Sequence, residues 1–184
     1  MSFIFVGRLD ELKGIKTLFE AWRLMGAEAP LLTVCGNGPM EDWCMQQSQG
    51  LNIEMRGFVD SLSVKRLMAQ SRALIMPTLW YEGFGMNVIE AYSCGIPVIC
   101  SDLGNAGSLV EEGVTGWKFE AGSARGLVDA VRKSMHSDSD FRDRVRLVYE
   151  QKYSPDANYR RLEEIYLEVQ NANRSYRSER RKLR

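Results

Sequence analysis

Apolar positions along the chain alternate between two rhythms. Short apolar runs bounded by glycine or proline read as buried strands: Ser2–Gly7, Leu31–Gly36, Asn52–Arg56, Ala73–Met76, Pro97–Ser101 and Thr115–Glu120. Longer segments of helical period separate them. Gly14–Ala27 places Ile15, Leu18, Phe19, Trp22 and Met25 on one face. Pro39–Gln49, Leu62–Gln70 and Met86–Cys94 follow, Gly107–Glu111 predicts a single helical turn, and Ser123 caps a helix reaching about Met135. Strand–helix alternation of this kind implies a parallel sheet with right-handed crossovers. After Met135 the rhythm is helical only. Asp138–Lys152 carries Phe141, Val145 and Val148, and Ala157–Asn171 carries Leu162, Ile165 and Val169. The expected fold is α/β: a Rossmann-like, doubly wound, six-stranded parallel sheet with C-terminal helices. It forms one domain over residues 1–173, followed by a basic, frayed, disordered tail over 174–184.

A chain of 184 residues is long enough for one sizeable core. Its formal net charge is zero, so no global field points to nucleic acid. The charge is uneven, however: Arg174–Arg184 holds five Arg and one Lys against Glu179, a net +5. No apolar run approaches the ~20 residues of a membrane span, and Ser2–Gly7 leads straight into a motif rather than a secretory signal. Cys35, Cys44, Cys94 and Cys100 show no C-x-x-C spacing, which fits a reduced, cytosolic setting. His136 is the single histidine, so neither a histidine metal cluster nor a Ser/His/Asp triad is expected.

The candidate chemistry gathers where strands end. In open α/β sheets, ligands bind beyond the carboxyl ends of the strands. Gly7-Arg8-Leu-Asp-Glu-Leu-Lys13-Gly14 follows the first strand, Gly36-Asn-Gly38-Pro39 the second, Gly57-Phe58-Val59-Asp60 the third, and Glu82-Gly83-Phe84-Gly85-Met86-Asn87-Val-Ile-Glu90 the fourth. Four turns therefore converge on one edge. Arg8 and Lys13 put two cations beside a glycine-flanked turn, which suits phosphate better than two solvated charges. Gly85, Met86 and Asn87 offer backbone N–H groups at a helix start, which attract anions. Glu82 and Glu90 accept hydrogen bonds from hydroxyls and would reach different parts of one ligand. Trp80-Tyr81 could flank a sugar or form a wall. Asp138-Ser-Asp140 imitates a metal-binding D-x-D, but it lies at a helix start, where such residues are ordinary caps. A hydroxyl-rich ligand with a diphosphate, such as a nucleotide sugar, has the complementary parts.

These motifs together resemble the retaining glycosyltransferases of group 1, or family 4, which have the GT-B fold. The likeness runs from Phe-Val-Gly-Arg-Leu, through Glu82–Glu90, Ala91-Tyr-Ser-Cys-Gly95-Ile-Pro97-Val and Gly113-Val-Thr-Gly116-Trp, into Tyr153-Ser-Pro-Asp-Ala-Asn158-Tyr and Ile165-Tyr166. The resemblance implies that Arg8 and Lys13 bind the donor diphosphate and stabilise the leaving group, with Gly7 beside them. Glu82 would contact sugar hydroxyls near the transferring carbon. Gly83, Phe84, Gly85, Met86 and Asn87 would form the donor loop, and Glu90 would bind the ribose. Phe58, Val59 and Asp60 would line the base. The donor is expected to be a UDP- or GDP-sugar, transferred with retention by a hexosyltransferase-type enzyme that needs neither metal nor cofactor.

The likeness covers only the second, donor-binding half of a GT-B enzyme. The acceptor domain is missing, so an excised domain, a truncated product or a split subunit is expected, inactive alone toward its glycan or lipid-linked acceptor. The terminal helix usually packs across the first domain. Such an enzyme would serve polysaccharide or glycolipid synthesis in the cytoplasm, with the basic tail touching the inner face of a membrane. One competing reading is a non-catalytic nucleotide-sugar-binding subunit that docks to a separate acceptor-binding chain. Another is a sugar-nucleotide epimerase or a phosphorylase, which the Arg8/Lys13 and Glu82/Glu90 set disfavours.

Overall fold

The structure, a computed structural model, describes residues 2–81 and 83–182, with side chains as far as 172. Six strands, β1 (Ser2–Val6), β2 (Leu31–Cys35), β3 (Ile53–Gly57), β4 (Leu74–Met76), β5 (Val98–Ser101) and β6 (Gly116–Phe119), form one sheet in the order β3-β2-β1-β4-β5-β6. Every pairing is parallel. The expected six-stranded doubly wound sheet is therefore present. β1, β2, β4 and β5 are largely apolar and largely buried because both faces of the sheet are covered.

The helices are α1 (Ile15–Met25), α2 (Glu41–Gln47), α3 (Ser61–Gln70), α4 (Met86–Ser93), α5 (Gly104–Leu109), α6 (Ala124–Met135), α7 (Phe141–Val148) and α8 (Pro155–Lys182). α1 packs beside α6 on one side of the sheet, and α4 packs with α3 and α7. The apolar stripe of α1 is the expected one: Ile15, Leu18, Phe19 and Trp22 are fully buried. Phe19 reaches Trp43 of α2, and Phe141 of α7 stacks on Trp117 of β6 at 4.7 Å.

Besides α5, which spans Gly104–Leu109 rather than the expected turn at Gly107–Glu111, two stretches differ from the expectation. The helix expected over Asp138–Lys152 begins only at Phe141 and passes at Tyr149–Tyr153 into one π-helical turn, closed by Ser154 N–H donating to Tyr149 O. The wider turn swings Tyr153 against Tyr92 of α4, with ring centroids 6.1 Å apart. The second stretch is α8. Ser154 caps it through Ala157 N–H, and Pro155 occupies its first position. Its backbone stays helical to Lys182, past Asn171 and into the segment expected as a frayed tail. No glycine or proline after Pro155 interrupts it.

Candidate functional site

The strand order reverses between β1 and β4, and a doubly wound sheet opens a crevice at that point. A hollow of about 300 Å³ lies there, lined by Val6 of β1, Lys13 of the following loop, Pro77 and Thr78 after β4, and Met86 and Asn87 of α4. A second hollow of about 320 Å³ shares Val6 and extends past Gly7 and Arg8 to Asn37, Phe58 and Val59. Residues from the ends of β1, β2, β3 and β4 thus line two adjoining hollows.

The loop after β1 is fixed from several directions. Leu9, fully buried, donates its N–H to Asn37 O and accepts from Met40 N–H, both at 2.9 Å. One carboxylate oxygen of Asp10 accepts from Lys13 N–H at 2.9 Å, and the other lies 3.5 Å from Arg8 Nε. Leu12 O accepts from Leu79 N–H at 2.7 Å and from Thr78 Oγ1 at 3.2 Å, which latches this loop to the one after β4. Gly14 caps α1 in the left-handed region at φ 70°, and a Cβ there would sit 1.7 Å from Pro77 O. Only glycine permits that approach.

Across the hollow, α4 begins at Gly85, also left-handed at φ 77°. Among the described residues no side chain caps this end. A helix start leaves its first N–H groups without intrahelical acceptors, and the macrodipole adds partial positive charge there. The end is held by two asparagines: Asn87 Nδ2 donates to Val6 O at 2.9 Å, and Asn105 Nδ2 of α5 donates to Gly83 O. Lys13 and the start of α4 line the first hollow and Arg8 the adjoining second, so positive charge borders both, which is chemistry for an anion.

The structure brings together most of the residues singled out from sequence. Gly7, Arg8, Lys13, Phe58, Val59, Phe84, Gly85, Met86 and Asn87 line the two hollows. Phe58, 78% exposed, forms an apolar rim. Three residues stand apart from the linings. Asp60 caps α3, accepting from Leu62 and Ser63 N–H at 3.1 and 3.0 Å, and hydrogen bonding from the Ser63 side chain first, then from these N–H groups, holds its carboxyl below the usual range. Glu90 is half-buried on α4, one turn beyond Met86, and Gly83 belongs to the exposed turn before α4. Glu82 lies outside the described residues.

Asp138 accepts Asp140 N–H and pairs through both oxygens with Arg144 at 3.0 and 3.1 Å, which lowers its pKa. Among the described residues no group of three or more His, Cys, Asp or Glu could hold a metal, and no helix is long and apolar enough to cross a membrane. Sequence reasoning missed Asp10 and Asn105. The signal for Asp10 was an acid three residues before Lys13, the spacing of a side chain closing on a backbone N–H. Nothing local marks Asn105.

The model of the family described as glycosyl transferases group 1 matches residues 2–152. Among curated relatives, a glycogen synthase of Mycobacterium tuberculosis is 28% identical over 151 residues, 79% of this chain and 36% of the relative. The amylovoran biosynthesis glycosyltransferase AmsK of Erwinia amylovora is 26% identical over 188 residues, 90% of this chain and 44% of the relative. The chain thus spans less than half the length of either. Among solved structures, Anabaena HepE in complex with UDP has a TM-score of 0.77 at 21% identity, covering 90% of this chain and 48% of that one. The catalytic domain of a cholesterol-alpha-glucosyltransferase from Helicobacter pylori has a TM-score of 0.70 at 21% identity, covering 81% of this chain and 94% of that one. At these identities the structural likeness concerns the fold.

Proposed function

The chain belongs to the group 1 glycosyl transferases, and from that premise we propose that it is the donor-binding half of a retaining, metal-independent sugar transferase of GT-B architecture. The observation that carries this reading is the meeting of the Arg8–Lys13 loop with the uncapped start of α4 across the crevice between β1 and β4. A nucleoside diphosphate would lie with its phosphates between them. The base would extend toward Phe58 and Val59, and Glu90 would serve the ribose. Glu82 would take the sugar hydroxyls.

Arg8 and Lys13, with the α4 N–H groups, would neutralise the diphosphate as it leaves, supplying the positive charge the step requires. Bound UDP and UDP-glucose in HepE favour a UDP-sugar as the first donor to test, with a GDP-sugar next. The acceptor, a glycan or lipid-linked sugar, would be bound by a further domain. The net +5 of residues 174–184 suits an anionic lipid surface at the inner face of a cytoplasmic membrane. A second reading, a binding subunit docked to a separate acceptor-binding chain, draws on the exposed Leu162, Ile165 and Val169 of α8.

Calorimetric titration of the purified chain with UDP, GDP and ADP and their sugar conjugates, in the presence of a chelator, tests the donor site. Saturable binding that prefers one base is expected. A folded sample, checked by circular dichroism, that binds none of them would remove this reading.

A further inference from the structure

Among the described residues, Asp10 is a carboxylate built into the cationic edge of the crevice, and its position is peculiar for a site that receives an anion. One oxygen holds Lys13 N–H at 2.9 Å while the other faces Arg8 Nε at 3.5 Å. The two residues assigned to the diphosphate are therefore tied to a single side chain. Asp10 is itself held: its N–H donates to Arg8 O at 3.1 Å, and its neighbour Leu9 is buried and bonded to Asn37 and Met40. Its side chain is 22% exposed, whereas that of Arg8 is 68% exposed. The better-buried member of the pair is the acid, and the more exposed member is the cation it pairs with.

Resting on the donor-site reading above, we propose that Asp10 is a positioning residue for the diphosphate, acting through Arg8. An ion pair made at Nε leaves the Nη pair of the guanidinium for bidentate contact with phosphate oxygens. A long side chain already restrained loses less rotamer freedom when the ligand arrives. The second oxygen closes the turn that sets Lys13 immediately before α1. A carboxylate beside the phosphates would otherwise be a liability, since like charges repel.

That liability gives the test its sign. By charge alone, removing Asp10 should tighten UDP binding; by positioning, it should weaken it. The experiment is calorimetric titration of UDP into wild type, Asp10→Asn, Asp10→Ala, Arg8→Ala and the double variant Arg8→Ala/Asp10→Asn, each checked by circular dichroism. Asparagine keeps an oxygen for Lys13 N–H but loses the ion pair, and it is nearly isosteric, so it carries the test if the alanine variant unfolds.

Asp10→Asn is expected to weaken UDP about two- to fivefold, the value of an exposed ion pair. Asp10→Ala should weaken it about three- to tenfold or more, as the turn's hydrogen bond is also lost. In the Arg8→Ala background Asp10→Asn should change nothing further, because the partner through which it acts is gone. Unchanged or tighter binding in Asp10→Asn overturns the proposal, as does an equal loss in the Arg8→Ala background. Either of those results leaves the donor site standing, whereas a wild-type chain that binds no nucleotide overturns the donor-site reading and this one with it.

Discussion

Gly14 holds the crevice together by having no side chain. Its left-handed backbone, φ 70°, lets the first turn of α1 close against Pro77 O, where a Cβ would stand 1.7 Å away. Gly14→Ala should therefore cost about 1–2 kcal/mol for the backbone conformation and about 1–3 kcal/mol more for the clash. A thermal melt should show a fall of roughly 10 °C, and a fall of less than about 2 °C would mean the two loops are not in register as described. Lys13, one residue earlier, bears on binding rather than folding. Lys13→Ala removes a charge-assisted hydrogen bond worth ~1.5–3 kcal/mol, about ten- to a hundredfold in UDP affinity. Unaltered affinity in a folded variant would move the diphosphate elsewhere.

At the scale of elements, α3 shows how a cap ties folding to pH. Asp60 accepts two N–H groups of the first turn, and hydrogen bonding from the Ser63 side chain, with these two bonds, lowers its pKa from the ordinary 3.8. A carboxyl depressed in the folded state contributes stability that is complete above its unfolded value and is lost as pH falls through its lower folded value. Melting temperatures of wild type and Asp60→Ala should therefore differ at neutral pH and converge as pH drops below 3.8; a gap that stays constant down to about pH 2.5 would contradict the cap.

The same element marks the boundary of what the sequence makes legible. Periodicity located β1 to β6 and α1, α3, α4 and α6 to within a few residues, because burial on one face imposes a repeat that local sequence must satisfy. The converging turns were legible for the same reason, since a parallel sheet puts all its strand ends on one edge. The side chains that fix those turns were not. Asn87 reaches Val6 O from 81 positions away and Asn105 reaches Gly83 O from 22 away, so no window of sequence contains both partners. Asp60, in the segment expected to line the base, also caps α3, a role that its place before Ser61 offers and that the residue type serves equally well. The π-helical turn at Tyr149–Tyr153 was hidden too, because the contact it accompanies, Tyr153 against Tyr92, lies between residues far apart in sequence.

For the whole molecule, the decisive contrast is between α7 and α8. Val145 of α7 is fully buried and Phe141 nearly so, whereas every residue of α8 from Asn158 to Ala172 is exposed, including Tyr159, Leu162, Ile165, Tyr166 and Val169. The core therefore closes at α7 and the π-helical turn, and the exposed part of α8 adds little burial to this domain. Two variants put numbers on that division. Val145→Ala opens a cavity in a closed core and should cost about 1–3 kcal/mol, with a loss of roughly 3–10 °C in melting temperature. Paired Leu162→Glu and Ile165→Glu, at positions already in water, should stay within about 0.5 kcal/mol of wild type. Any self-association seen in light scattering should fall in the same pair, because an exposed apolar row favours association. If the glutamates instead destabilise the domain as much as Val145→Ala does, α8 folds back on the core in solution, and the exposed row that favours a separate acceptor-binding partner does not exist.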